Sequence, residues 1–341
     1  VVHLNPESGR WLPDNSRLQR HINIAVAYNT WQYFQTTADV DFLAYSGAEM
    51  MVEIARLMAS LASYNRALDR YEILRVMGPD EYHDAYPDAD EPGLNNNAYT
   101  NMMARENLFF AVKTVKEMLD AYPDQFENLK HRTNLETNEI DTWQKAADNM
   151  YVPFDRKLGI HPQDEDFLDL EAWDIKNTPR EQFPLLLHYH PLVIYRHQVI
   201  KQADVVLAMF LLGNLFTDKQ KKRNFDYYDP LTTGDSSLSA CIQSIIAAEV
   251  GANEKAMGYA RYAVLMDLAD VGGKMAEGCH IASMGGTWMV AVYGFAGMRD
   301  YDGRITFDPR LPKYFETLRF SLQIRGHMLK LEIMNKEAIY L

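Results

Sequence analysis

Six carboxylic acids crowd one short stretch, GPDEYHDAYPDADEPG at 78–93, between two segments with helical periodicity. Three readings compete for it. A calcium loop fails on spacing: an EF-hand-like loop begun at Asp88 puts Pro92 at its fifth position and Tyr99 at its twelfth, where oxygen ligands are required. Asp84, Asp88, Asp90 and Glu91 read as an exposed charged loop. Glu81 differs, because it follows the rigid Gly78-Pro79 turn and is flanked by Tyr82 and His83, so aromatic packing is expected to hold and enclose it. Desolvation raises the pKa of a carboxyl, which suits a general acid working near neutral pH.

Four further segments carry donors or metal-ligand types. In LTTGDSSLSACIQ, 231–243, Asp235, Ser236 and Ser237 precede an apolar helix. They serve either as N-caps or, with the free N–H groups and positive dipole of that helix start, as an anion site. In EGCHIASMGGTW, 277–288, His280 reads as a core histidine, while Gly285-Gly286 at a helix start would let a backbone approach a ligand closely. The stretch lacks the lysine and spacing of a nucleotide-binding P-loop. In HQVIKQADVVLAMFLLG, 197–213, Lys201, Gln202 and Asp204 interrupt an apolar helix. The Lys-Gln pair can donate to sugar hydroxyls, or the lysine can snorkel at the helix edge. LLLHYHPLVIYRH offers His188, His190 and His197, but no Cys or carboxylate is spaced to complete a zinc tetrahedron, so no metal is assigned.

Helices must position these groups. Leu43, Gly47, Met50, Ile54, Leu57 and Leu61 recur at steps of four and three, and Leu108, Val112, Val115, Leu119 and Tyr122 repeat the pattern. Further helices are expected over 17–36, 136–149, 196–213, 238–250, 253–268 and 284–295. Joined by loops rich in Pro, Asp and Gly, they read as an all-α array of hairpins. In FSLQIRGHMLKLEI, Phe320, Leu322 and Ile324 alternate with polar residues, Arg325-Gly326-His327 can turn, and Leu329, Leu331 and Ile333 alternate again. That is a β-hairpin, which must pack on the helices to be stable. The uncharged segment 281–298 carries four glycines and reads as a helix buried on all sides rather than a membrane span.

Composition narrows the partners. At 341 residues and 47% hydrophobic, the chain can bury one large domain or two ordinary ones. Its 34 basic against 47 acidic residues, a net of -13, argue against nucleic acid or an anionic membrane surface as the main partner. Two cysteines, Cys241 and Cys279, suit a reduced compartment, the cytoplasm. The opening VVHLNPESGRWLPDN has no basic-then-apolar signal pattern, and its start at Val1 reads as a cut from something longer.

VMGPDEYH, NNNAYTN, IKQADVV, NFDYYDPLTTGDSSLS, HIASMGGTW, FDPRLP and RGHMLKLEI, in that order, resemble glycoside hydrolase family 65 from about residue 21 to the end. That family contains phosphorylases of maltose, trehalose, kojibiose and related α-glucosides. The resemblance implies a mainly α fold, an (α/α)6 toroid barrel incomplete in this chain, with a short C-terminal β segment. The barrel portion would occupy 1–316 and a small sheet domain would begin over 317–341. It further implies that Glu81 is the general acid, that Lys201 and Gln202 bind the sugar at the cleavage point, and that Ser236, Ser237 and His280 build a phosphate site. The implied reaction is inverting phosphorolysis of an α-linked glucose disaccharide to β-glucose 1-phosphate, with inorganic phosphate as co-substrate and no cofactor. Implied partners are the disaccharide, phosphate, the N-terminal portion of the same protein, and a second copy, since dimers are common in the family.

The residues themselves fit that chemistry. A water nucleophile needs a second carboxylate as base, whereas phosphate is already an anion and needs none. The candidate nucleophile site offers hydroxyls, an imidazole and N–H groups. A trehalase-like hydrolase on the same scaffold would draw its base from Asp235 or Glu277, and a non-catalytic helical module that binds a partner chain is the third reading. Gly234 stands where the family often has histidine, and extra residues between His83 and Asn95 suggest a longer loop and a substrate other than maltose.

Overall fold

The computed structural model of the protein describes residues 2–5, 8–271, 273 and 275–341. Helices make up most of it. His21–Thr37 turns into Val40–Phe42, a π turn at Leu43–Gly47, and Ala48–Leu61. A π turn adds one residue to the helical repeat and so rotates the face beyond it. Leu43 and Gly47 are buried as the periodicity expects, but past the turn Met51, Ala55 and Met58 are fully buried while Met50, Leu57 and Leu61 are only half-buried.

Ala98–Ala121 is the longest helix, and the Asn97 side chain caps it by accepting from Thr100 N at 2.9 Å. It is buried all round over 98–104. Leu108, Val112 and Val115 reach the core as expected, and Met118 rather than the exposed Leu119 completes the stripe. Ala48–Leu61, Thr137–Asp148 and Val205–Leu211 pack against this helix. Ser239–Glu249, buried over 239–248, pairs with Asn253–Leu265 and touches Ile281–Met289. One continuous apolar core runs through all of these hairpins.

Two expectations about helices fail for identifiable reasons. The helix expected over 196–213 is confined to Val205–Leu211. Upstream, Ile200 N donates to Leu231 O at 2.9 Å and Thr233 N to Ile200 O at 2.8 Å, so this segment lies beside 231–233 instead of coiling. Lys201, Gln202 and Asp204 therefore precede the apolar helix and do not interrupt it. Ile281–Met289 is not buried on all sides, since Ile281, Met284 and Trp288 are exposed. Its Gly285-Gly286 pair sits mid-helix, where a Cβ on Gly286 would lie 2.6 Å from Cys241 Sγ; the glycine serves close helix packing, not a ligand. Among the described residues no helix is long and apolar enough to cross a membrane.

The C-terminal hairpin pairs Thr317–Ile324 with His327–Met334, and Ala338–Tyr340 adds a third strand. Ile324 faces His327 across Arg325-Gly326, whose φ of 49° and 79° match the type I′ turn that suits strand twist. Leu322 and Leu331 pack on Val292 and Met298, which seats the sheet on the helices.

A buried ion triad ties this end together. Glu249 accepts from Lys221 Nζ and Arg299 Nη2, at 2.5 Å each, and all three side chains are nearly buried. Burial pushes the Glu249 carboxyl up, but the two cations outweigh it and hold its pKa below the ordinary value. Its contribution to stability is thus present above the unfolded carboxylate pKa, about 4.3, and is lost as pH falls through the folded value. Glu249→Gln, which leaves two buried cations uncompensated, is expected to cost about 3–5 kcal/mol in urea denaturation at neutral pH and to flatten the acid limb of the stability profile.

Candidate active site

Val76 and Leu94 pair as an antiparallel bridge and close the acidic loop between them. Inside it Asp80 is wholly buried. Its Oδ1 accepts from Tyr82 N at 3.2 Å and Lys201 N at 2.8 Å, while Oδ2 accepts from Gln163 Nε2 at 3.0 Å and from His83 Nδ1 at 2.9 Å. His83 Nε2 lies 2.9 Å from the His197 carbonyl. Both ring nitrogens face acceptors, a demand that only the imidazolium meets. Burial lowers the His83 pKa, but the Asp80 hydrogen bond and charge, with Asp164 behind them, outweigh it and leave it raised. Gly78 permits the close approach beneath: a Cβ there would lie 2.5 Å from both Asn97 Nδ2 and Asp204 Oδ2. Asp204 is pushed up to about 8, by desolvation first and the Asp80 charge second, and so carries its proton at neutral pH.

Glu81 lies outside this network. The aromatic enclosure expected for it goes to its neighbours: Tyr82 and His83 are buried, whereas the Glu81 side chain is 39% exposed and pairs with Lys201 Nζ at 2.5 Å. Glu81 and Lys201 line a cavity of about 450 Å³ together with Tyr195 and Asp235. Gln202 donates to the Pro79 carbonyl at 2.5 Å and lines neither this cavity nor the next. Asp84 also departs from expectation. It is buried, and its carboxylate accepts from Tyr195 O–H and from Asn15 Nδ2, so only Asp88, Asp90 and Glu91 form the exposed part of the loop.

A second cavity, about 700 Å³, is lined by Ser236, Ser237 and His280, and it shares Asp235 and Pro184 with the first. Tyr82 joins the two walls, because its O–H donates to Asp235 Oδ2, which also accepts from Thr233 Oγ1 at 2.9 Å. Asp235 is therefore anchored to the acid loop and does not cap the next helix; Ser236 Oγ takes Leu238 N at 3.3 Å, at the end of hydrogen-bonding range. His280 is not a core histidine. It lines the cavity, with Nδ1 2.6 Å from Asp267 Oδ1 and its backbone N–H donating to Oδ2 at 2.8 Å. Those hydrogen bonds hold the Asp267 carboxyl below its ordinary range and leave His280 Nε2 as the ring nitrogen without a protein partner among the described residues. The Glu277 side chain lies outside the described residues.

His190 Nδ1 accepts from Leu192 N and His197 Nδ1 faces the Val193 carbonyl; among the described residues no three His, Cys, Asp or Glu gather as metal ligands. The structure thus brings Glu81 and Lys201 to one cavity and Ser236, Ser237 and His280 to its neighbour.

The family model for the glycosyl hydrolase family 65 central catalytic domain matches residues 1–289, and that for the family 65 C-terminal domain matches 298–341. The chain belongs to glycosyl hydrolase family 65. It is 43% identical over 318 residues to an α,α-trehalose phosphorylase of Geobacillus stearothermophilus, covering 93% of this chain and 40% of that protein. It is 36% identical to a kojibiose phosphorylase of Halothermothrix orenii, covering 93% and 40%. A solved human-microbiome protein, provisionally described as a kojibiose phosphorylase, superposes with a TM-score of 0.82 at 29% identity, over 93% of this chain and 45% of that one. The mainly α fold, of the (α/α)6 type, is shared with it. The chain spans less than half the length of these relatives.

Several supporting residues of this family 65 chain lie outside the motif roles. Asp80 sits in the same motif as Glu81, and its i, i+3 spacing from His83 was the available signal. Lys176 and Arg180 also line the second cavity, and nothing in the sequence sets them apart from surface charge. His83 makes the stability of this loop pH-dependent. Because its folded pKa is raised, the stability it contributes is fully present below the unfolded value of 6.5 and is lost as pH rises through the folded value. Imidazole ¹⁵N NMR at pH 7 is expected to find protons on both His83 nitrogens, and a neutral ring in Asp80→Asn.

Proposed function

We propose that the protein carrying this chain is an inverting α-glucoside phosphorylase, acting on an α-linked glucose disaccharide of the trehalose or kojibiose kind. The observation that carries this reading is that Glu81 lines one cavity, Ser236, Ser237 and His280 line the next, and the two share Asp235 and Pro184 as a common wall. The names of the trehalose and kojibiose phosphorylases that match the chain support the same class.

Glu81 acts as the general acid and gives a proton to the glycosidic oxygen. A phosphate oxygen attacks the anomeric carbon from the opposite face, the bond to the leaving sugar breaks with that proton on its new hydroxyl, and the α-linkage becomes β-glucose 1-phosphate. Serine hydroxyls and His280 Nε2 orient the phosphate. Lys201 must first leave Glu81. A pair this exposed contributes about 1 kcal/mol or less, so glucose hydroxyls can compete for Nζ at little cost. Gln202 would have to turn from the Pro79 carbonyl to join in. Both cysteines are free thiols, which supports a cytoplasmic site of action.

A hydrolytic reading stays second on one observation. Asp235 borders both cavities, and both of its hydrogen bonds converge on Oδ2, so Oδ1 is placed to act as a base toward water. Phosphate dependence separates the two. With a panel of α-linked glucose disaccharides, the full-length protein is expected to release glucose 1-phosphate only when phosphate is supplied, and Glu81→Gln to lower kcat by about 10²–10⁴. Equal glucose release with and without phosphate would favour hydrolysis and Asp235.

A further inference from the structure

The second cavity has a charge problem that Ser236, Ser237 and His280 do not solve. Asp235 is on its wall, so one carboxylate faces any anion that enters, and a second, Asp267, stands just behind His280. Hydroxyls donate hydrogen bonds but bring no charge, and His280 brings at most one positive charge, already matched by Asp267. An anion held by these groups alone would meet net repulsion.

Two cations are placed to reverse this. Lys176 and Arg180 line the same cavity from a different segment, and neither forms an ion pair with any described carboxylate. In a chain with 47 acids against 34 bases, two neighbouring unpaired cations on one cavity are a marked local excess. Their loop is built, not loose. Trp173 Nε1 donates to Thr178 Oγ1 at 2.9 Å, and the Trp173 ring packs edge-on against Tyr189 and His197. Asp174 accepts from Asn177 N at 3.2 Å and from Asn177 Nδ2 at 2.6 Å, which folds the turn that holds Lys176.

We propose that Lys176 and Arg180 are anion-binding residues that complete the phosphate site, so that a phosphate dianion is held between this loop and the Ser236-Ser237-His280 set. The inference rests on the phosphorolysis reading and deepens it. The two cations offset Asp235 and Asp267, favour phosphate over water next to the anomeric carbon, and receive the phosphate end of the product. Arg180 offers a planar fork of donors to two phosphate oxygens, and Lys176 a point charge.

The test is a calorimetric titration of inorganic phosphate into the full-length protein at fixed ionic strength. Wild type is expected to bind, Ser236→Ala/Ser237→Ala to lose binding, and Lys176→Ala/Arg180→Ala to bind at least about tenfold more weakly. Lys176→Arg, which keeps the charge, should stay within about threefold of wild type, a rescue that a merely structural role would not give. If Lys176→Ala/Arg180→Ala binds phosphate as wild type does while the serine variant does not, the proposal is overturned and the phosphorolysis reading stands. If wild type binds no phosphate, both fall.

Discussion

The Asp80 carboxylate is the interaction on which the candidate site depends. A buried carboxylate costs several kcal/mol unless it is paired and hydrogen-bonded. Here it receives four donors from three segments of the chain: the acid loop itself through Tyr82 N and His83, the 201 segment through Lys201 N, and Gln163. Charge-assisted hydrogen bonds contribute roughly 1.5–3 kcal/mol each, enough together to offset the burial. The backbone on either side of Glu81 is fixed as a consequence, and so is the backbone of Lys201, which brings the two side chains to one cavity. Asp204, kept neutral by its surroundings, lets this anion sit in a crowded acidic core.

Rigidity below and compliance above follow from the same loop. Tyr82 is buried among Leu185, Ile194 and Val199, and through its hydroxyl it carries the position of the acid loop across to Asp235 and the serine pair. The Glu81–Lys201 pair, in contrast, is partly solvated and weak, so in the proposed reaction a sugar hydroxyl would displace it without disturbing the frame. Preorganised surroundings with exchangeable contacts at the reacting atoms are what acid catalysis requires.

Much of this was legible from residue order, and the misses have physical causes. The hairpin turn at Arg325-Gly326 and the helices at 98–121 and 239–249 follow from pattern alone. The π turn at Leu43–Gly47 is invisible to a periodicity argument, and it moves the core from Met50 and Leu57 to Met51 and Met58. The helix expected through Lys201 is replaced because its backbone N–H is claimed by a side chain 121 positions earlier. Asp84 looks like a surface acid in sequence, and only Tyr195 and Asn15, both remote, make it a buried one. His280 and the serine pair come to one cavity only through tertiary packing, so their proximity follows from the motif set and not from any local spacing.

In the proposed reaction phosphate attacks the sugar from the cavity beside the acid's own. Following the reaction of the full-length protein with trehalose or kojibiose and phosphate by ¹H and ³¹P NMR, from the first minutes, tests it most directly. Inversion by phosphate makes β-glucose 1-phosphate the first sugar phosphate to form. Appearance of α-glucose 1-phosphate first, or of free glucose alone, would contradict it.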